Sequence, residues 1–176
     1  MELLDILDEK GNKIGIKERD EVHKDGDWHK VAFIFVVNDK GEIILQKRSK
    51  DKGSNPNKWT ASASGHLAVG DTNIQGARRE LEEEIGITVK EDELEYLCTV
   101  KEQWCDEKRK ISHIAIVYLL FKNVTIGELT LQEEEVKYVN YKDFEKMVQE
   151  KNEDIVKHDE IYAEVLKALH KKFDLS

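Results

Sequence analysis

Apolar residues fall into strand-like runs over much of this chain. Residues 31–37 are uninterrupted apolar positions, mostly β-branched or aromatic, which is typical of a strand buried on both faces. Residues 8–12 and 38–41 combine Asp or Asn with Lys and Gly, and they predict tight turns between paired strands. The predicted strands are residues 3–7, 13–17, 31–37, 42–48, 94–102, 111–121 and 136–141, with short β-prone stretches at 59–65 and 87–89.

Helical periodicity is clearest over residues 73–85, where apolar residues recur at spacings of three and four. Thr72 followed by Gln75 fits a capping box, and Asp71 would favour the positive end of the helix dipole. Gly86 suits the left-handed residue that ends a helix. The sequence therefore predicts a helix with both ends defined.

Strands interspersed with helices predict a layered α/β fold. The chain has 176 residues and a single proline, with no repeat and no linker-like segment, so we expect one domain over residues 1–176. The N-terminal β-hairpin would form an extension within residues 1–28. Two amphipathic segments, 142–151 and about 155–172, predict C-terminal helices within residues 142–176.

The charge balance excludes several classes of partner. There are 37 Asp and Glu residues against 28 Lys and Arg residues, a net charge of −9. Such a chain is not expected to bind a nucleic acid polymer or an anionic membrane, because both need basic surfaces. No apolar run approaches the roughly 20 residues of a membrane span, and the first residues are acidic rather than signal-like. Two cysteines without metal-binding spacing indicate a cytoplasmic location.

The predicted helix over 73–85 carries a cluster of carboxylates beside its apolar stripe. On a helical wheel Glu80, Glu83 and Glu84 share one flank, with Glu84 nearest the core, and Glu82 lies on the other flank. Like charges at these spacings repel one another. Pairing of Arg79 with Glu83 on an ordinary solvated surface is one interpretation. The other is a site for Mg²⁺ or Mn²⁺, which prefer oxygen ligands.

Residues 65–87 decide between these interpretations. Gly65, Asp71, the run from Arg79 to Ile85, and Gly86 followed by Ile87 resemble the Nudix box, G-x5-E-x7-R-E-U-x-E-E-x-G-U with U apolar. The only departure is Asp71, where that family has Glu. The resemblance identifies the chain as similar to Nudix hydrolases, and it implies an α/β/α sandwich with a mixed sheet.

The same resemblance implies a metal-dependent hydrolase acting on a small diphosphate, such as a nucleoside diphosphate linked to another group. The implied metal ligands for Mg²⁺ or Mn²⁺ are Glu80, Glu83, Glu84 and the carbonyl of Gly65. Glu83 would also act as a base, and Arg79 would orient the carboxylates through ion pairs. Asp71 would support the site from behind. Homodimers are common in the family, so a homodimer is a possible assembly, but the sequence does not determine the oligomeric state.

A narrower resemblance links the chain to the isopentenyl diphosphate isomerase branch of the same superfamily. That enzyme holds metal through histidines that match His23, His29 and His66. Its catalytic cysteine is Ser64 here, and its Glu-x-Glu is absent from residues 111–114. The isomerase therefore stays an alternative to the hydrolase, as does a non-catalytic module that senses nucleotides. Without the isomerase chemistry, we expect the three histidines to be ordinary hydrogen-bonding residues.

Two segments outside the box carry further candidate residues. The loop over 47–58 is basic within an acidic chain, and its Arg48 and Lys52 are predicted to bind the substrate's distal phosphate. The acidic run 133–135 lies where many Nudix enzymes place an extra glutamate, so Glu135 is a candidate catalytic residue, followed by Glu134. Trp104, in a predicted turn, is a candidate surface for stacking.

Overall fold

The computed structural model describes residues 1–132 and 135–174. Its described strands all belong to one mixed sheet. The strands and helices are β1 (Leu3–Leu7), β2 (Lys13–Glu18), α1 (Arg19–Asp25), β3 (Trp28–Val37), β4 (Glu42–Lys47), β5 (Trp59–Thr60), β6 (Ala63–His66), α2 (Asn73–Ile85), β7 (Glu95–Cys105), β8 (Lys110–Phe121), β9 (Glu135–Asn140), α3 (Tyr141–Gln149) and α4 (Asp159–Phe173). Short 3-10 turns span Glu91–Glu93 and Ile126–Glu128.

Strand β3 is the centre of the sheet. It pairs in parallel with β8, from Trp28 opposite Ser112 to Val37 opposite Phe121. On its other side it pairs antiparallel with β6 and, at Val37, with β4. The hairpin of β1 and β2 joins it through a single register position, Leu7 opposite Trp28. The expected mixed sheet with an N-terminal hairpin is confirmed.

The two faces of β3 bury two separate cores, as expected for a strand whose residues 31–37 are all apolar. Phe33 and Phe35 pack with residues of α3 and α4 on one face. Ile34 and Val36 pack with the apolar stripe of α2 on the other face. Alternate side chains of a strand point to opposite faces, so an unbroken apolar run is suited to this middle layer. The fold is therefore the expected α/β/α sandwich.

Helix α2 has the predicted bounds because its end signals are satisfied. The Thr72 hydroxyl accepts a hydrogen bond from the Gln75 backbone N–H, and the Gln75 side chain accepts one from the Thr72 backbone N–H. Gly86 ends the helix with a positive φ of 74°. The predictions differ elsewhere: residues 87–89 form no strand, α4 begins at Asp159 rather than near residue 155, and α1 was not predicted.

Residues 87–89 pack instead against α2, with the side chains of Ile87 and Val89 in the core beside that helix. Within the described ranges, no helix is long and apolar enough to span a bilayer. Strand β6 and helix α2 lie side by side, and this neighbourhood brings the first and last thirds of the box together.

Candidate active site

The acidic face of α2 forms one wall of a cleft. Glu80 is buried, Glu84 is half-buried, and Glu82 and Glu83 are exposed. Glu84 Oε2 accepts hydrogen bonds from the Ser64 backbone N–H at 3.1 Å and from Gln46 Nε2 at 3.2 Å. The wheel placed Glu84 nearest the core, and the larger rise of its pKa agrees with that placement. The Glu80 side chain is the less exposed to solvent of the two, because β6 packs directly over it.

Gly65 on β6 is what permits this packing. A Cβ at position 65 would overlap the Glu80 carboxylate. The glycine at the start of the box therefore has a steric role: it lets the backbone of β6 lie against a carboxylate of α2. The prediction that residue 65 and Glu80 belong to one site agrees with this contact.

Arg79 connects the two halves of the box. Its guanidinium donates to Asp71 Oδ2 at 3.0 Å, to Glu80 Oε1 at 2.8 Å and to the His66 carbonyl at 3.1 Å. The predicted pairing with Glu83 is present at 3.5 Å. Asp71, one methylene shorter than the family's Glu, also accepts the Ala68 backbone N–H and so anchors the arginine behind the carboxylates.

Burial changes the protonation of the two inner carboxyls. Desolvation raises the pKa of Glu80 to about 7, although Arg79 opposes the shift. Desolvation raises the pKa of Glu84 to about 8, against the hydrogen bond from Ser64. The charge of Glu83 adds to the raised pKa of Glu80, and the charge of Glu80 adds to that of Glu84. One arginine does not offset the cost of two charges on this face.

These observations fit a hard divalent cation. The donors are carboxylate oxygens beside the backbone of Gly65, and the buried pair requires more positive charge than Arg79 supplies. Glu83 differs from the other two, since its side chain is 54% exposed and turned to Arg79. In the part of the chain that the structure describes, the three box glutamates do not form a convergent group of ligand atoms.

A second cluster, of histidines, adjoins this face. His23 on α1, His29 on β3 and His66 at the end of β6 have ligand nitrogens within 4.8 Å of one another. The Nε2 atoms of His23 and His29 are buried without a hydrogen-bond partner. Three imidazoles this close together, two of them with an unpartnered Nε2, could hold a metal ion such as zinc. The sequence led us to expect ordinary hydrogen-bonding histidines, but the Nε2 atoms of His23 and His29 do not fit this expectation.

Burial favours the neutral form of His23 and His29. It lowers the pKa of His23 to about 4 and that of His29 to about 3. The His29 Nδ1 lies 3.0 Å from the Asp27 carbonyl, a contact that requires the proton on Nδ1. Nε2 of His29 then carries the lone pair that a metal ligand needs.

The cleft itself is shared by the box, the histidines and the basic loop. Both predicted phosphate-binding residues, Arg48 and Lys52, line it. Arg48 is held by Ser54, whose carbonyl accepts from Nε at 2.9 Å. Glu135 is not among the lining residues described, and it pairs with Lys47 at 3.4 Å. Its catalytic role stays a prediction, and Glu134 lies outside the described residues.

Several residues of the cleft were not singled out from the sequence. They come from the chain's N-terminal segment, from β4, from β8 and from the start of α4. A lone histidine or glutamine in an apolar segment has no local signal, because its position relative to the box depends on strand pairing. These residues are Glu2, Gln46, His113 and His158.

Comparison with known proteins gives a consistent result. A family model described as a NUDIX domain matches residues 27–164. Nudix hydrolase 3 of Arabidopsis thaliana is 34% identical over 167 residues, which cover 90% of this chain and 22% of the plant protein. An isopentenyl-diphosphate Delta-isomerase of Photorhabdus laumondii is 38% identical over 85 residues, 48% of each chain. The chain thus spans about a fifth of the first relative and about half of the second.

The fold has counterparts among solved structures. The crystal structure of DR0079 from Deinococcus radiodurans superposes with a TM-score of 0.70 at 20% identity, and the match covers 96% of this chain and 99% of that one. At this level of identity the match concerns the fold. The overall fold is therefore shared with that protein.

Proposed function

Since the chain belongs to the Nudix family, we propose that it is a metal-dependent hydrolase that cleaves a diphosphate bond in a small molecule. The substrate would be a nucleoside diphosphate derivative or a related diphosphate. The observation that carries the proposal is the pair Glu80 and Glu84, two carboxyls on one helix face, both with raised pKa values and both lining a cleft.

The proposed ligands for Mg²⁺ or Mn²⁺ are Glu80, Glu83, Glu84 and the Gly65 carbonyl. When bound, such an ion supplies positive charge to the phosphate oxygens and makes water more nucleophilic. Glu83 is the proposed base, because it is the exposed carboxylate of the group and can exchange protons with the cleft. Arg79 keeps Glu80 in place through its contacts to Asp71 and the His66 carbonyl.

Arg48 and Lys52 are the proposed contacts for the phosphate that lies farther from the metal. Both are on the cleft wall contributed by the basic loop. Their charges would stabilise a polyphosphate that the acidic wall alone would repel. Glu135 is proposed only as an additional catalytic glutamate. One domain over residues 1–176, a homodimer and a cytoplasmic location complete the proposal.

The experiment is a panel of nucleoside di- and triphosphates, nucleotide sugars, dinucleotide cofactors and isoprenoid diphosphates, assayed with Mg²⁺ and with Mn²⁺. We expect metal-dependent release of a phosphate-containing product from at least one compound. Glu83→Gln and Glu84→Gln are expected to abolish this turnover with the fold intact. Glu82→Gln is the matched control, because Glu82 is exposed on the same helix but does not line the cleft. Near-normal rates in both variants would refute the metal-site assignment.

An isomerase acting on isopentenyl diphosphate is the second candidate, and the histidine cluster favours it. The relative from Photorhabdus is named as such an enzyme. Ser64 and residues 111–114 argue against it here, because a serine hydroxyl is a poor acid or base at carbon. Incubation with isopentenyl diphosphate and detection of its allylic isomer would select this candidate. Tight nucleotide binding without any metal-dependent product would instead select the sensor.

A further inference from the structure

A carboxylate–imidazole pair lies at the side of the cleft formed by β7 and the start of α4. His158 Nδ1 is 2.9 Å and 3.0 Å from the two carboxylate oxygens of Glu102. Both side chains are nearly buried, at 7% exposure for His158 and 13% for Glu102. The two residues are 56 positions apart in the chain. Because water has little access to the pair, its hydrogen bonds hold the two side chains in one arrangement.

The imidazole ring is also fixed by its neighbours. The ring of Phe33, on β3, lies 4.8 Å from it in an edge-on arrangement, and the ring of Tyr162 lies 5.8 Å away. His158 is the residue that precedes α4, and its carbonyl accepts the Tyr162 backbone N–H at 2.9 Å. The ring therefore has little freedom to rotate within the cleft wall.

The contact with Glu102 determines which nitrogen is available. A carboxylate only accepts hydrogen bonds, so Nδ1 must carry the proton that lies between them. Nε2 makes no hydrogen bond to any residue in the ranges 1–132 and 135–174. His158 lines the cleft. In the neutral ring, Nε2 is then an acceptor available to a molecule in the cleft.

Apolar and aromatic side chains make up much of the cleft wall around this acceptor, beside the polar His113. Phe33 and Val156 line the cleft close to His158 in the structure, and Trp104 lies 6.3 Å from it between ring centroids. Val31 and Ile111 extend the same apolar surface. The carboxylates of α2 and the cations of the basic loop lie on other walls. The cleft therefore combines charged walls with a largely apolar wall on which His158 offers a hydrogen-bond acceptor.

We propose that His158 determines specificity by accepting a hydrogen bond, through Nε2, from the organic group of the substrate. This inference rests on the proposed function, which places the diphosphate at the charged walls. The favoured class is a diphosphate whose organic group is largely apolar or aromatic and carries one hydroxyl or amine donor. Glu102 is a positioning residue that fixes the proton on Nδ1.

The test compares two probes that differ by a single donor, a series of ω-hydroxyalkyl diphosphates and the corresponding alkyl diphosphates. His158→Asn keeps a donor for Glu102 and removes the atom at the Nε2 position. We expect its KM, or its inhibition constant against the panel substrate, to rise about tenfold for the best hydroxyalkyl probe, the effect of one hydrogen bond. For the matched alkyl probe we expect no change, and kcat is expected to be retained.

His158→Gln and Glu102→Gln complete the set. The longer amide of Gln reaches the Nε2 position, so His158→Gln is expected to restore part of the preference for the hydroxyl. Glu102→Gln leaves the ring in place but can donate to Nδ1, so it is expected to weaken the same preference. A loss of affinity that is equal for both probes would overturn the proposal and indicate a structural role.

A measurement on the unaltered chain does not depend on folding of the variants or on turnover. The side-chain ¹⁵N shifts of His158 are expected to report a proton on Nδ1 and a bare Nε2. The Nε2 shift is expected to move when the hydroxyalkyl diphosphate is added but not with the alkyl probe. A proton on Nε2, or identical responses to the two probes, would overturn the inference. Loss of turnover in Glu84→Gln tests the proposed function separately.

Discussion

Gly65 and Glu80 approach so closely that a Cβ on residue 65 would overlap the Glu80 carboxylate. The two residues belong to different elements, β6 and α2. The contact holds the carboxylate between Arg79 and the backbone of β6, and it shields Glu80 enough to raise its pKa. The spacing of the box residues therefore fixes the position of Glu80, one of the proposed metal ligands.

Gly65→Ala is predicted to displace the Glu80 side chain while leaving the strand backbone unchanged, because Gly65 does not have a positive φ. Activity should fall about 10- to 100-fold, the range seen when the support of a metal ligand is lost. Steady-state rates as a function of Mg²⁺ concentration would show a weaker apparent metal affinity. Gly127→Ala is the control, since a Cβ there meets nothing within 4 Å. Equal activity of the two variants would contradict the prediction.

Glu84→Gln is predicted to change how stability depends on pH. Burial raises the pKa of Glu84 from 4.5 to about 8. Folding thus favours the protonated carboxyl, so its stabilising effect is complete below pH 4.5 and is lost as pH rises through about 8. At pH 9 the metal-free variant should be more stable than the parent by up to about 5 kcal/mol, the free energy equivalent of a pKa rise from 4.5 to about 8.

Urea unfolding in the presence of EDTA, at pH 5 and at pH 9, would measure this difference. A smaller slope is expected to remain in the variant, because burial also raises the pKa of Glu80 to about 7. Glu82→Gln, on the exposed flank, should follow the parent at both pH values. If Glu84→Gln did so as well, the site would be more hydrated than its burial indicates.

Arg79→Lys is predicted to break the hydrogen bonds that connect the N-terminal part of the box to the carboxylates of α2. One ammonium group cannot span Asp71, Glu80 and the His66 carbonyl as the guanidinium does. We expect kcat to fall about 10- to 100-fold and the free energy of unfolding to fall by about 1–2 kcal/mol. Arg78→Lys is the matched variant: Arg78 precedes Arg79 on the helix and bonds the Val89 carbonyl instead. A comparable loss of kcat in that variant would rule out a specific role for Arg79.

Arg48→Ala and Lys52→Ala are predicted to raise KM about tenfold each, with little change in kcat, because each removes a proposed charged contact to a phosphate. The effect should shrink as salt is increased. Lys50→Ala provides the control, since Lys50 is exposed in the same loop and does not line the cleft. Initial-rate measurements of KM at two ionic strengths would check this. An equal rise of KM in Lys50→Ala would mean that the loop acts only through its overall charge.

The features that the sequence predicted correctly depend on residues that are close together in the chain. The bounds of α2 follow from Thr72, Gln75 and Gly86, because capping and helix termination involve residues within one turn. The two-faced burial of β3 follows from its unbroken apolar run. The missed helix α1 has charged residues at most positions and only one fully buried apolar side chain, Val22, so its periodicity is weak.

The sequence by itself determined the box, its carboxylates and the helix that carries them, because those residues lie at fixed spacings within one short stretch of the chain, residues 65–87. Only the tertiary structure decided which residues meet across the cleft. His23, His29 and His66 come together through a helix and two strands, and Glu102 reaches His158 across a distance of 56 residues. Such contacts depend on strand register and on helix packing, and no local spacing of residues specifies them.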